Sequence, residues 1–333
     1  LRLESMAIAT GELFIGNSVP LQTLLRDAAR VAPTEATVVI TGESGTGKSL
    51  LARWIHERSH RANGPFVVID CGALPEALLE AELFGFERGA FTGATAAKAG
   101  RFEAAQHGTL VLDEVAALSL TAQAKLLRVI EERRVMRLGG QRALPLNVRF
   151  IAVTNTDLAT AVARQAFRAD LFHRLNVVQL EVPALRTRPA DIQPLAQHFL
   201  AQAAHRHRLS PPRLAAETLS FLEHYDFPGN VRELRHAMEH ALIAASEGLV
   251  CREHLPPRMT SVAALMQHRT RKPTLAELEA TYIREILQHV GWRKAEAARI
   301  LGISRKNLYE KLRAYGIPYH PSDGLGNDPD TPA

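Results

Sequence analysis

Cysteine is nearly absent from this 333-residue chain: Cys71 and Cys251 are the only two, and neither sits in a metal-ligand spacing. That excludes a disulfide-stapled scaffold and a cysteine-based zinc site, and fits reduced thiols in a cytoplasmic protein. Also missing is any apolar run approaching the ~18 residues of a membrane span, so no membrane partner is expected. The N-terminus has no signal-peptide pattern. It starts at Leu1 rather than Met, as a fragment or processed chain would, with no receiver or ligand-sensing domain visible ahead of Gly11. A hydrophobic content of 46% and a charged content of 23% are those of an ordinary globular protein, long enough for two or three domains.

Charge of one sign is lacking over most of the length, with 29 Lys/Arg against 27 Asp/Glu in the first 264 residues. From 265 to 320 the balance changes to eleven against five, and the last thirteen residues hold three acids. Basic character confined to one small C-terminal unit points to nucleic acid there, the bland alternative being a solvated helical face.

Short β-branched runs alternate with helical patterns. Residues 37–41, 66–70, 109–112, 149–153 and 177–180 read as five strands without polar alternation, as expected of a parallel sheet covered on both faces. This is a doubly wound α/β architecture. The first strand runs into Gly42-Glu43-Ser44-Gly45-Thr46-Gly47-Lys48-Ser49, a complete phosphate loop ahead of a helix. Its glycines let backbone N–H groups surround the phosphates of ATP, Lys48 reaches the terminal ones, and the Ser49 hydroxyl can ligate Mg²⁺. The third strand ends in Asp113-Glu114, which suits Asp113 to holding Mg²⁺ through water and Glu114 to polarising the attacking water.

Behind the phosphate loop lies Gly89-Ala90-Phe91-Thr92-Gly93-Ala94, preceded by Glu82-Leu83-Phe84-Gly85. A Phe-Thr pair among small residues is odd in a core, where a lone Phe would have weak company. It reads as a loop tip presenting an aromatic ring to a partner. In this setting the string resembles the signature of the sigma-54-dependent transcriptional activators, a branch of the AAA+ ATPases, and the resemblance runs from about Leu13 to about Pro318.

The resemblance implies a AAA+ five-stranded sheet with a helical lid, and a homo-oligomer between dimer and hexameric ring. Asn155 takes the place of the first nucleotide sensor and Arg232 that of the second. Arg168 and Arg174 look like arginine fingers reaching a neighbouring subunit's site, and Ile15-Gly16 would line the adenine pocket. Residues 89–94 would engage sigma-54 in the RNA polymerase holoenzyme. A second insertion, Val135 to Gln141, looks like a hairpin turning at Gly139-Gly140 and would rise from the same face. Asp70 stands where many relatives carry an Asn that restrains the catalytic glutamate. Two close carboxylates disfavour joint ionisation, so Asp70 is expected to restrain Glu114 only when protonated or bridged by a cation.

After a Pro- and Arg-rich stretch, Leu275, Leu278, Tyr282, Ile283, Ile286, Leu287 and Val290 line one face of a helix that Gly291 ends. A second helix covers Ala295 to Leu301, Gly302-Ile303 turns, and Ser304 caps a third helix. On the third, Leu308 and Leu312 face inward while Arg305, Lys306, Asn307, Tyr309, Lys311 and Arg313 face out. That is a helix-turn-helix whose DNA-binding set runs from Ser304 to Arg313. Residues 297–304 resemble the Fis-type motif, implying a dimer on an enhancer-like inverted repeat of double-stranded DNA. The expected organisation is an ATPase subdomain over 1–189, a lid over 190–258, a linker over 259–273, the all-α DNA-binding domain over 274–320 and a disordered tail over 321–333. An ATP-dependent helicase or unfoldase would thread polymer through a pore and needs neither the 89–94 loop nor this tail. A regulator acting on ordinary polymerase would tolerate a decayed 89–94 string, and here it is intact.

Overall fold

Five apolar runs form one parallel sheet: Val38–Thr41 (β1), Phe66–Asp70 (β2), Thr109–Asp113 (β3), Arg149–Thr154 (β4) and Val178–Glu181 (β5). The spatial order is β5-β1-β4-β3-β2, and Thr41 at the end of β1 is level with Thr154 and Glu181. The computed structural model describes residues 6–7, 13–245, 248–261 and 274–317. The 262–273 part of the expected linker and the expected tail lie outside them.

The uninterrupted apolar runs are explained by two cores, one on each face of the sheet. Val39, Leu110, Leu112, Phe150 and Ala152 point into the first, with Leu79 and Leu83 of Glu76–Phe84 and Leu126 and Ile130 of Leu120–Glu132. Their neighbours Val38, Ile40, Val111, Ile151 and Val153 point into the second, against Leu21 and Leu24 of Val19–Val31 and Leu51, Trp54 and Ile55 of Lys48–Glu57. In chain order these helices are α1 (Val19–Val31), α2 (Lys48–Glu57), α3 (Glu76–Phe84) and α4 (Leu120–Glu132). Successive strand residues alternate faces, so a strand covered twice must be apolar throughout. The edge strand β2 departs from this expectation: Val68 is 42% exposed, because among the described residues β2 is the edge of the sheet, with no strand paired beyond it.

Beyond the sheet come α5 (Ala169–Leu175), α6 (Ile192–His207), α7 (Ala216–His224) and α8 (Asn230–Ala244). Arg213–Leu214 and Leu249–Val250 add a short parallel pair that helical periodicity did not foretell. The chain divides into two compact units: residues up to 196 with 227–235, and residues 197–226 with 236 onward. The start of α8 thus belongs to the unit that holds the sheet.

The basic segment contains α9 (Leu275–His289), α10 (Lys294–Leu301) and α11 (Arg305–Ala314). Thr274 and Glu277 form a capping box at α9, and Ser304 accepts from Asn307 N–H to cap α11. Ile283, Leu287, Val290, Ala297, Ala298, Leu308, Leu312 and Ile317 make its core. Leu275 and Tyr282, expected on the same apolar face, are 86% and 46% exposed, since α10 and α11 cover only part of α9. Trp292 has a left-handed backbone and packs against this core.

Candidate functional site

The phosphate loop leaves β1 at Thr41 and enters α2 at Lys48, so it lies at the carboxyl edge of the sheet, the place where open α/β sheets bind ligands. Lys48 is buried, and its ammonium donates to the carbonyl oxygens of Gly42 (3.0 Å) and Glu43 (3.1 Å). Burial lowers its pKa, the Glu114 and Asp113 carboxylates oppose that, and Arg232 adds to it. Ser49 Oγ donates to Asp113 Oδ2 at 3.2 Å, bringing together the two groups expected at Mg²⁺. A hydroxyl and one carboxylate fit that ion, which keeps several waters and takes the rest of its shell from substrate phosphates.

Asp113 Oδ1 accepts from the Glu114 N–H at 3.0 Å, and Glu114 itself has a left-handed backbone with φ of 51°. Such a conformation costs a non-glycine residue about 1 kcal/mol, and here it aims the carboxylate at the end of β4. There the Asn155 N–H donates to Glu114 Oε2 at 3.4 Å. Asp70 is level with Asp113 on the adjacent strand, but its Oδ1 accepts from Gly72 N–H at 2.8 Å. No hydrogen bond joins Asp70 to Glu114 among the described residues. All three carboxylates surround Cys71, whose thiol is pushed up to about 12, first by burial and then by these charges.

Arg232 is beside the loop as expected, with Nη1 donating to Ser44 Oγ at 3.1 Å. Arg168 and Arg174 are exposed, and Arg168 makes a two-pronged pair with Asp170 at 3.1 and 2.7 Å. Neither bonds to the phosphate loop of its own chain among the described residues. Gly16, expected at the adenine, has a firm local reason: a Cβ on it would lie 2.4 Å from Asp191, which accepts from Asn17 N–H and from both the N–H and the hydroxyl of Ser18. The Glu43 carboxylate, counted with the nucleotide ligands, is held instead by Arg186 through two bonds of 2.7 Å.

Sequence reading missed Arg186, Arg188, Asp191 and Asn230. Arg188 is buried and donates to the Thr46 carbonyl at 3.2 Å, with Asp191 opposing the depression of its pKa by burial. Its partner is 142 residues away, so no local pattern marks it. Asn230 left a faint signal, a Gly-Asn pair just ahead of a helical pattern.

The two insertions form one assembly. Gly85–Phe86 pairs antiparallel with Lys98–Ala99, and the enclosed loop is closed by the Gly89 N–H donating to Ala94 O at 2.8 Å. Phe91, expected at a loop tip presenting its ring to a partner, is 45% exposed and stacks edge to face on Phe86. Beneath it a groove of about 540 Å³ is lined by Val68, Leu74 and Leu78 among others. Arg134–Met136 and Ala143–Pro145 make the second hairpin. Leu138 exchanges backbone bonds with Gly85 (2.9 Å) and Glu87 (3.0 Å), and Arg137 bonds both Glu103 (2.8 Å) and Glu87 (3.2 Å). The Arg137 guanidinium holds the Glu103 carboxyl below the usual range.

On α11, Arg305, Lys306, Asn307, Tyr309 and Arg313 are exposed. Lys311 differs: its ammonium pairs with Glu279 of α9 at 2.7 Å, and Tyr315 donates to the same carboxylate. The Ser304 hydroxyl is used as the helix cap. Among the described residues no helix is long and apolar enough to cross a membrane.

Residues 14–181 match the family described as the sigma-54 interaction domain, 186–272 the AAA+ ATPase lid domain, and 274–315 the bacterial regulatory proteins of the Fis family. The transcriptional regulatory protein ZraR of Escherichia coli K12 is 45% identical over 310 residues, which cover 93% of this chain and 70% of that protein. The sigma54-dependent transcriptional activator SfnR of Pseudomonas putida is 44% identical over 314 residues, 89% of this chain and 86% of SfnR. Among solved structures, NtrX from Brucella abortus in complex with ADP matches with a TM-score of 0.71 and 33% identity, covering 91% of this chain and 70% of that one.

Proposed function

Because the chain belongs to the family of sigma-54-dependent transcriptional activators, with an AAA+ ATPase domain and a Fis-type DNA-binding domain, we propose that it hydrolyses ATP in an oligomeric ring to remodel the closed RNA polymerase–sigma-54 promoter complex into the open one. The observation that carries this reading is the intact 89–94 loop, carried on a stem whose Gly85 and Glu87 bond Leu138 of a second hairpin, in the same unit as a complete phosphate loop.

In this mechanism Lys48 and the backbone N–H groups of 42–49 hold the phosphates of ATP. Ser49 and Asp113 would hold Mg²⁺, which would neutralise phosphate charge when bound. Glu114 orients and deprotonates the attacking water, and Asn155, bonded to it, senses the terminal phosphate. Arg168 and Arg174 face outward and serve a neighbouring copy, a contribution worth roughly 10³–10⁵ in rate, so an isolated subunit turns over slowly. Arg232 couples the nucleotide to α8. Nucleotide state raises or lowers Phe91-Thr92 against sigma-54, a gating motion rather than chemistry at the tip. The exposed cations of α11 place a dimer of tails on an enhancer-like inverted repeat, and the protein works in the cytoplasm.

The test is transcription with purified components. Addition of the chain and ATP to sigma-54 holoenzyme on a supercoiled template is expected to yield heparin-resistant open complexes. Their absence, with sigma-70 transcription altered instead, would assign the chain to regulators of ordinary polymerase.

A further inference from the structure

Glu43 lies inside the phosphate loop, yet its carboxylate is occupied by other protein groups. Besides the two bonds from Arg186, the side-chain amide of Asn230 donates to it at 3.1 Å. Asn230 is fully buried and uses both ends of that amide: Nδ2 also donates to Ser44 O at 3.1 Å, and Oδ1 accepts from Leu185 N–H at 2.8 Å. Its backbone is left-handed, with φ of 50°, a region that glycine, asparagine and aspartate tolerate. Glycine has no side chain to bond with, and an ionised aspartate can only accept. Asparagine alone satisfies the backbone and both senses of hydrogen bonding.

The stitching continues for two more residues. Arg232 bonds Ser44 Oγ through its guanidinium, and its N–H donates to Gly45 O at 3.3 Å. Gly45 has no room for a Cβ, which would sit 2.3 Å from the Gly229 carbonyl oxygen. The central residues of the phosphate loop and the first turn of α8 are therefore one bonded piece.

Building on the ATPase reading above, we propose that Asn230 is a positioning residue: acting through Glu43, with Arg186 on its other side, it sets the phosphate-loop shape that receives the nucleotide. Both ends of its amide are taken by protein groups, so it acts on the nucleotide indirectly. The loop then cannot reshape around a nucleotide without displacing the helix that carries Arg232, so loop and sensor respond together.

Equilibrium binding of a fluorescent ADP analogue to the full chain tests this without turnover. Asn230→Asp keeps the size and the left-handed backbone but sets a carboxylate against that of Glu43, and the dissociation constant should rise about tenfold or more. Adding Glu43→Gln supplies an amide facing the introduced carboxylate and should bring binding back toward the level of Glu43→Gln alone, which a merely loosened protein would not do. Near-wild-type binding by N230D, or a double variant no better than N230D, overturns the proposal. Should N230D fail to fold, Glu43→Gln and Arg186→Gln carry the test: each should weaken binding, with the pair no weaker than the worse single, and additive losses overturn it. A wild-type chain that binds no ADP would remove the ATPase reading and this inference together, whereas wild-type binding with N230D unaffected removes the inference alone.

Discussion

The rings of Phe86 and Phe91 meet edge to face with centroids 4.9 Å apart, so the tip of the 89–94 loop rests on the stem of its own insertion. Such a pair contributes about 0.5–1.5 kcal/mol beyond its burial, enough to hold the tip against the stem and little enough to be released. Phe86→Ala should raise amide hydrogen exchange over 87–94 by about fivefold or more, as expected for loss of ~1 kcal/mol of local stability. Unchanged exchange would show that the stack does not restrain the tip.

Thr92 is exposed at that tip, away from the phosphate loop in sequence and in bonding. Thr92→Ala should keep ATP hydrolysis within about twofold and lose open-complex formation by roughly tenfold or more, the pattern of a lost contact rather than lost chemistry. Malachite-green phosphate release and permanganate footprinting, run on the same preparation, check both halves.

The Arg137–Glu103 contact ties the second hairpin to the base of the first insertion. Because the folded Glu103 pKa lies below its ordinary value, the contact adds stability above that value and loses it as pH falls through the lowered one. The melting temperature of wild type should exceed that of Glu103→Gln by a constant margin from about pH 5 to 8, and the margin should close toward pH 3. A margin that grows with acidity would contradict the assignment.

Asp70 ends the strand beside Asp113, and among the described residues it does not bond Glu114, so the carboxylate proposed to activate water has no amide partner from the end of β2. Asp70→Asn is expected to lower basal ATP turnover several-fold relative to the sigma-stimulated rate, since an amide can donate to Glu114 at any pH. Equal basal and stimulated rates in the two proteins would remove Asp70 from regulation.

Arg305 and Lys306 are exposed on the first turn of α11, whereas Lys311 is turned back to Glu279. Arg305→Ala and Lys306→Ala should each flatten the slope of log binding constant against log salt by about one, and Lys311→Ala should leave it nearly unchanged. Fluorescence anisotropy with an inverted-repeat duplex across a salt series separates the two classes.

What could be read in advance was contiguous. The uninterrupted β-branched runs, the phosphate loop from Gly42 to Ser49, the 89–94 string and the turn at Gly302 each hold their meaning within about ten residues, where backbone preference and side-chain period act directly. Those features determined the layer architecture, the family and the placing of Ser49 with Asp113. The folded chain alone decided that Phe91 would find Phe86, that Lys311 would turn from the exposed face, and that Glu43 would be gripped by Arg186 and Asn230. The last of these contacts spans 187 residues. A hydrogen bond of that range leaves no periodicity along the chain, because its partners meet only after the sheet has brought the ends of β1 and β5 side by side.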